Sequence, residues 1–193
     1  MKSIYLILDM QNDLVNSDGP NGKSPLGDQV RSRCILENTV VALNKARNAG
    51  IAVGFVRVGF SPDYHECPKN SQLFSGAPKA GLFKLGGWGT EIHPNLAQQP
   101  GDVQVIKHRV SPFYSTTLSV QLRAAGIERI YCSGVSTQAV VQATVRDGHD
   151  RDFDMVVLED CCAAHSLEEH RNSMGSITRF CRTTTLGDVH FEI

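Results

Sequence analysis

The sequence predicts an α/β fold in which helices cover both faces of a parallel sheet. Five short apolar runs have the continuous character of strands that are buried on both sides. Stretches with helical apolar spacing separate them, and this alternation builds right-handed βαβ units. The predicted strands cover residues 4–8, 51–58, 103–106, 130–132 and 155–158.

Four helices are predicted from their end signals and apolar spacing. Asp28 is the expected cap of the first, and Gly50 follows its end. Ser115 or Thr116 is expected to cap the second. The predicted helices cover residues 28–48, 116–125, 137–148 and 166–180.

Length and charge narrow the class of protein. A chain of 193 residues is most simply one domain, residues 1–193, and is long enough to bury a full core. With 19 basic and 20 acidic residues, the charge gives no reason to expect nucleic acid or a membrane surface as a partner. The apolar start is short and ends in Asp9, so we interpret it as a buried strand rather than a signal peptide.

The six cysteines indicate a reducing compartment. They lie at positions 34, 67, 132, 161, 162 and 181, without a C-x-x-C pair. We expect reduced thiols that behave as small core residues, in a cytoplasmic protein.

Three candidate catalytic or binding features lie at the carboxyl ends of predicted strands, where open α/β sheets bind ligands. Asp9 closes the first strand and Lys107 closes a middle one. A neighbouring lysine would lower the pKa of Asp9 and make it a carboxylate, whereas desolvation would raise it and allow a general acid. The sequence leaves both states open.

The third feature is the turn Gly134–Thr137, which leads into a helix. Its backbone N–H groups could bind an oxyanion or a substrate carboxylate. No Gly-x-Ser-x-Gly elbow surrounds Ser136, so capping is a better interpretation than nucleophilic attack. The irregular residues 59–100, which include Trp88, are long enough to form a lid or wall of a site.

Five segments together resemble the isochorismatase-like (cysteine hydrolase) superfamily across nearly the whole chain. They are DMQND at 9–13, IKHRVSPFY at 106–114, GVST at 134–137, ATVRD at 143–147 and EDCCAA at 159–164. The resemblance implies a Rossmann-like three-layer α/β/α sandwich with about six mostly parallel strands, often in a homo-oligomer such as a dimer or tetramer. It also implies an Asp–Lys–Cys triad in the amidase members.

Carried over by position, the resemblance assigns Asp9 and Lys107 as the acid/base pair. Val135-Ser136 matches a cis peptide beside the oxyanion hole, and Val140 falls on the nucleophilic cysteine. A valine has no nucleophilic atom, so a covalent thioester is not expected. The amides of Ser136 and Val140 are expected to bind substrate.

Two further residues, Gln11 and Trp88, are also expected near the substrate. Gln11 follows Asp9 in the first motif, and Trp88 lies in a stretch that the resemblance places beside the pocket.

We expect neither a metal nor a cofactor. The nicotinamidases of the superfamily hold a metal with Asp-x-His-x-x-x-His, and this chain has Asp63 and His65 but Lys69 in the last position. No glycine-rich phosphate loop follows a strand.

Two hypotheses follow. The first is a thiol-independent hydrolase of a small metabolite, with Asp9 as general acid, acting on a vinyl ether or a related C–O or C–N bond as the cysteine-less isochorismatases do. The second is a catalytically silent relative that binds a metabolite or serves as an oligomeric scaffold. We rank it second because a buried Asp–Lys pair is costly to keep unused.

Overall fold

The computed structural model describes residues 1–193 and has at its centre a single six-stranded sheet. All five strand pairings are parallel, in the order β3-β2-β1-β4-β5-β6. The predicted fold class is confirmed. The strands are β1 Ser3–Leu8, β2 Ala52–Val58, β3 Val103–Lys107, β4 Arg129–Val135, β5 Asp154–Ala163 and β6 Arg182–Thr184.

Seven α-helices connect or follow the strands, with two short 3₁₀ turns at Asn21–Lys23 and Trp88–Thr90 and a π-helical segment at Thr137–Val141. No helix is long and apolar enough to cross a membrane. The helices are α1 Asn12–Val15, α2 Pro25–Ser32, α3 Ile35–Asn48, α4 Ala77–Ala80, α5 Leu118–Ala124, α6 Gln142–His149 and α7 Leu167–Ile177.

The single helix predicted over 28–48 is wrong, because the chain forms two helices there. Ser24, rather than Asp28, caps α2 by accepting a hydrogen bond from the Leu26 N–H at 3.2 Å. The break falls at Arg33 and Cys34, where Cys34 has a left-handed backbone with φ of +52°. The helical spacing of Leu26, Val30 and Cys34 continues into this break, so periodicity alone does not reveal it.

Two apolar cores lie on opposite faces of the sheet and make the three layers. Helices α2 and α3 cover one face, against Tyr5 and Ile7 of β1. Helices α5, α6 and α7 cover the other, against Ile4, Leu6 and Leu8. Successive residues of β1 therefore serve alternate cores, which explains why the whole strand is apolar.

The strand order reverses between β1 and β4, and this reversal positions the site. The connections from these two neighbouring strands leave in opposite directions, so a crevice opens at their carboxyl ends. Gly134 permits the close approach of the two strands, since its φ is +139° and a Cβ there would lie 2.0 Å from the Leu8 carbonyl oxygen.

Residues 59–100 are held near the end of β1 by hydrogen bonds with Asn12 and Asp13, which follow that strand. The Asp13 carboxylate accepts the Phe83 N–H at 2.7 Å, and the Asn12 amide donates to the Trp88 carbonyl at 3.0 Å. Gly89 packs against Asp13 so closely that a Cβ would lie 2.2 Å from the carboxylate. The segment is therefore a built wall rather than a free linker.

Candidate active site

Asp9 and Lys107 form a buried ion pair at the carboxyl edge of the sheet. Lys107 Nζ lies 2.8 Å from Asp9 Oδ2, and both residues are at most 5% exposed. Asp9 follows β1 and Lys107 ends β3, two strands away, so the lysine stem crosses the end of β2 to reach the carboxylate. The ammonium also donates to the Arg109 carbonyl at 3.2 Å. The structure thus brings together the two residues that the sequence singles out.

The two oxygens of Asp9 have different surroundings. Oδ2 contacts Lys107, whereas Oδ1 is buried without a hydrogen-bond partner. Burial raises the pKa of Asp9, and the charge and hydrogen bond of Lys107 oppose that rise without cancelling it. Of the two states that the sequence leaves open, desolvation favours the protonated acid.

The backbone of Asp9 is held in an uncommon conformation. Its φ is +55°, in the left-handed region that aspartate tolerates better than most residues. Its N–H donates to the Val56 carbonyl at 2.8 Å, which ties the position to β2. Residues in such conformations concentrate at functional sites, where the surrounding structure supports them.

Beside this pair lies a cavity of about 190 Å³, and 11 of its 16 lining residues are hydrophobic. Asp9, Lys107 and Ser136 supply polar groups, and Val135, Ala139 and Val140 form part of the wall. A small substrate with an apolar portion fits these surroundings, with its reacting bond close to the carboxyl group.

The turn after β4 carries the other predicted positions. The peptide between Val135 and Ser136 is cis. A π-helical segment, Thr137–Val141, follows it, and Val140 is 2% exposed yet lines the cavity. The position that the resemblance gives to a nucleophilic cysteine therefore presents only methyl groups to the cavity.

No cysteine replaces the absent nucleophile. None of the six lines the cavity, and all six are free thiols. Cys132 and Cys162 are fully buried in the core, where burial raises the pKa of Cys132 well above its ordinary value and that of Cys162 to about 12. Such thiols stay protonated and unreactive near neutral pH.

Gln11 and Trp88 do not line the cavity, in contrast to the expectation that they contact substrate. The Gln11 amide is fully buried and bonds both backbone groups of Val58, at 3.0 Å and 2.9 Å. Trp88 is 47% exposed on the outer side of its loop. In this chain, Gln11 fixes the end of β2, and Trp88 faces outward.

The sequence does not single out several residues that complete the cavity. They come from α1, α2 and the turn between them, from the end of β2, from the long segment 59–100 and from the loops after β3 and β5. Nothing in their local pattern distinguishes them from ordinary core or loop residues. They are Leu14, Asn21, Leu26, Val58, Leu73, Phe74, Leu82, Phe83, Val110 and His165.

The exposed Asp63 and His65 and the half-buried Glu66 form a cluster outside the cavity, with potential ligand atoms within 4.8 Å of one another. Asp63 has hydrogen-bond partners within this segment: Ser61 Oγ donates to its carboxylate at 2.7 Å, and His65 Nδ1 lies 3.0 Å from the same oxygen. The second histidine of the nicotinamidase element is replaced by Lys69. These residues do not provide the full ligand set of that element.

Comparison with known proteins gives consistent matches. Residues 3–188 match the family described as Isochorismatase domain. The uncharacterized isochorismatase family protein YecD of Escherichia coli O157:H7 is 35% identical over 147 residues, 75% of this chain and 76% of that protein. The ureidoacrylate amidohydrolase RutB of Acinetobacter baylyi is 30% identical over 192 residues, 93% of this chain and 78% of RutB.

A solved structure supports the fold. An isochorismatase family protein from Desulfovibrio vulgaris superposes with a TM-score of 0.85 at 24% identity, covering 96% of this chain and 95% of that one.

Proposed function

Because this chain belongs to the isochorismatase family of hydrolases, we propose that it hydrolyses a small metabolite without a thiol nucleophile, using Asp9 as a general acid. Vinyl-ether cleavage, or a related C–O or C–N hydrolysis, is the chemistry that suits this site best.

The proposal depends chiefly on Asp9 Oδ1. This oxygen is buried, has no partner in the protein and belongs to a carboxyl group on the cavity wall. Burial raises the pKa of that carboxyl group above its ordinary value, which is the direction that a general acid requires. An acid that can transfer a proton within a largely apolar cavity requires no neighbouring thiol.

With a vinyl ether as substrate, the proposed reaction has three steps: protonation, addition of water and collapse of a hemiketal. Asp9 donates its proton to the terminal alkene carbon, and the C=C electron pair forms that C–H bond. The other carbon becomes an oxocarbenium ion, and water adds to it. The resulting hemiketal loses its alcohol to give a ketone, and the proton released by the attacking water restores the acid form of Asp9.

Lys107 and the turn after β4 have supporting roles in this proposal. Lys107 holds Oδ2 at 2.8 Å, which leaves Oδ1 as the oxygen without a partner in the protein, and its positive charge stabilises the carboxylate after proton transfer. The backbone amides of Ser136 and Val140, at the start of a helical segment, would bind an anionic group of the substrate. The reaction uses groups of this chain and water only.

The test is a hydrolysis screen of purified wild type and three variants. Substrates are isochorismate and simpler vinyl ethers, together with amides that include ureidoacrylate, nicotinamide and carbamoyl compounds. Asp9→Asn removes the proton donor with little change in shape. Asp28→Asn is the matched control, because Asp28 lies on an exposed part of α2. Val140→Cys restores a thiol at the family's nucleophile position.

We expect vinyl-ether turnover by the wild type and by Asp28→Asn, with a loss of about 100-fold or more in Asp9→Asn. Full activity in Asp9→Asn would refute the general-acid role. Wild-type silence combined with amide hydrolysis by Val140→Cys would identify a disarmed amidase scaffold, the alternative that the sequence leaves open.

A further inference from the structure

A second polar cluster is buried behind the turn that forms one wall of the cavity. His170, on α7, is 1% exposed and does not line the cavity. Its Nδ1 lies 2.9 Å from Thr137 Oγ1, and its Nε2 lies 3.1 Å from a guanidinium nitrogen of Arg33. Thr137 is fully buried and is the first residue of the π-helical segment. The cluster thus joins three elements far apart in sequence.

The chemistry of arginine fixes the direction of these hydrogen bonds. A guanidinium group only donates, so His170 Nε2 must accept from Arg33. The imidazole proton therefore lies on Nδ1 and is donated to Thr137 Oγ1. Arg33 in this way selects one tautomer of His170, and in that tautomer Thr137 Oγ1 accepts a hydrogen bond from the ring.

Arg33 is itself anchored for this role. Its other terminal nitrogen donates to the Cys162 carbonyl at 3.0 Å. The next residue, Cys34, has a left-handed backbone, so the chain changes direction there after α2. The Glu159 carboxylate lies 3.7 Å from His170 Nε2, which is outside hydrogen-bond range. Burial and the charges of Arg33 and Arg171 lower the pKa of His170 to about 4, so the ring is neutral.

We propose that His170 is a positioning residue, which Arg33 holds in the Nδ1–H tautomer so that it fixes Thr137 and with it the turn carrying Ser136 and Val140. Both of these residues line the cavity on either side of Thr137. The catalytic part of this inference depends on the proposed function, since small displacements of binding groups slow a reaction strongly. The hydrogen-bond arrangement itself does not depend on it.

Nitrogen NMR of histidine-labelled protein tests the tautomer directly. In the wild type at pH 7 we expect His170 to be neutral, with a proton on Nδ1 and none on Nε2. In Arg33→Met we expect this preference to weaken or reverse. A wild-type ring that is protonated on Nε2, or on both nitrogens, would overturn the proposal whether or not any substrate is known.

Two matched pairs of variants test positioning. In His170→Asn the amide can occupy the place of Nδ1 and donate to Thr137, whereas in His170→Gln it extends to the place of Nε2. Thr137→Ser keeps the hydroxyl, and Thr137→Val removes it. We expect kcat/KM to fall about 10-fold or more in His170→Gln and Thr137→Val, and His170→Asn and Thr137→Ser to retain most of the wild-type value.

Equal losses in His170→Asn and His170→Gln would indicate packing alone and refute positioning. A substrate-free measurement separates this result from failure of the proposed function. The backbone amide resonances of Ser136, Ala139 and Val140 should shift in Thr137→Val and remain near their wild-type positions in Thr137→Ser. Unchanged resonances in Thr137→Val would contradict the inference.

Discussion

Replacing Lys107 with methionine tests the electrostatics of the buried pair without requiring a substrate. Methionine keeps most of the length and apolar volume of the stem but removes the ammonium group that lies 2.8 Å from Asp9 Oδ2. Burial then acts on the Asp9 carboxyl group with no cation to oppose it. The pKa of Asp9, already raised in the wild type, must rise further.

The sign of the effect on stability follows from proton linkage. A carboxyl group with a raised pKa in the folded state binds more protons there than in the unfolded chain. Its contribution to the free energy of unfolding is complete below the unfolded pKa of about 3.9, and is lost as pH rises through the folded pKa. In Lys107→Met the folded pKa is higher, so the loss continues to higher pH.

The expected size is large because both side chains are almost completely removed from water. Losing an opposite charge at such a distance typically removes about 1–4 kcal/mol of stabilisation from an ionised carboxylate. Between pH 4 and pH 8, the free energy of unfolding of Lys107→Met should therefore fall by about 1–4 kcal/mol more than that of the wild type.

Urea unfolding at a series of pH values measures this difference. The control is the double variant Asp9→Asn/Lys107→Met, which lacks the titrating carboxyl group and should not show the additional slope. Parallel curves for wild type and Lys107→Met would refute the argument that the ammonium group opposes the desolvation of Asp9. So would an additional slope that persists in the double variant.

Three further predictions concern the turn, the β1–β4 contact and assembly. Val140→Cys should react with iodoacetamide faster than Val141→Cys, which lies outside the cavity, and mass spectrometry would detect the labelled thiol; equal rates would place position 140 away from the cavity. Gly134→Ala should lower the free energy of unfolding, measured with urea, by about 2 kcal/mol or more, or prevent folding, because its new Cβ meets the Leu8 carbonyl. In the control Gly76→Ala, where the Cβ enters open space, the free energy of unfolding should change by about 0.5 kcal/mol or less. The chain, of 21.1 kDa, should sediment as a dimer or tetramer; a monomer at micromolar concentration would refute the expected homo-oligomer.

Much of the fold could be predicted from the sequence because its strands are buried on both faces. In β1, every residue is buried, and the apolar run is visible without any structural knowledge. β6 is not visible as an apolar run, because its three residues are polar and lie exposed or half-buried at the sheet edge. The start of α2 differs from the prediction because Ser24 and Asp28 are both residue types that cap helices, and only Ser24 does so here.

Some residues of the candidate site can likewise be predicted from the sequence, and others cannot. Asp9, Lys107 and Val140 are visible in the sequence because each lies in a motif at the end of an apolar strand or the start of a helix. No local pattern indicates His170 as a site residue, since its partners Arg33 and Thr137 are 137 and 33 residues away along the chain. Gln11 was expected beside substrate, but its bonds to Val58 depend on how β1 and β2 pair.

Residue types and local periodicity are sufficient to predict the class of fold, the pair of charged residues and the absence of a thiol at position 140. The three-dimensional arrangement is needed to show which oxygen of Asp9 remains unpaired, that burial raises its pKa despite Lys107, and which loop residues enclose the cavity. These properties arise from distances between segments that are remote in sequence, and desolvation depends on everything that surrounds a group rather than on its neighbours along the chain.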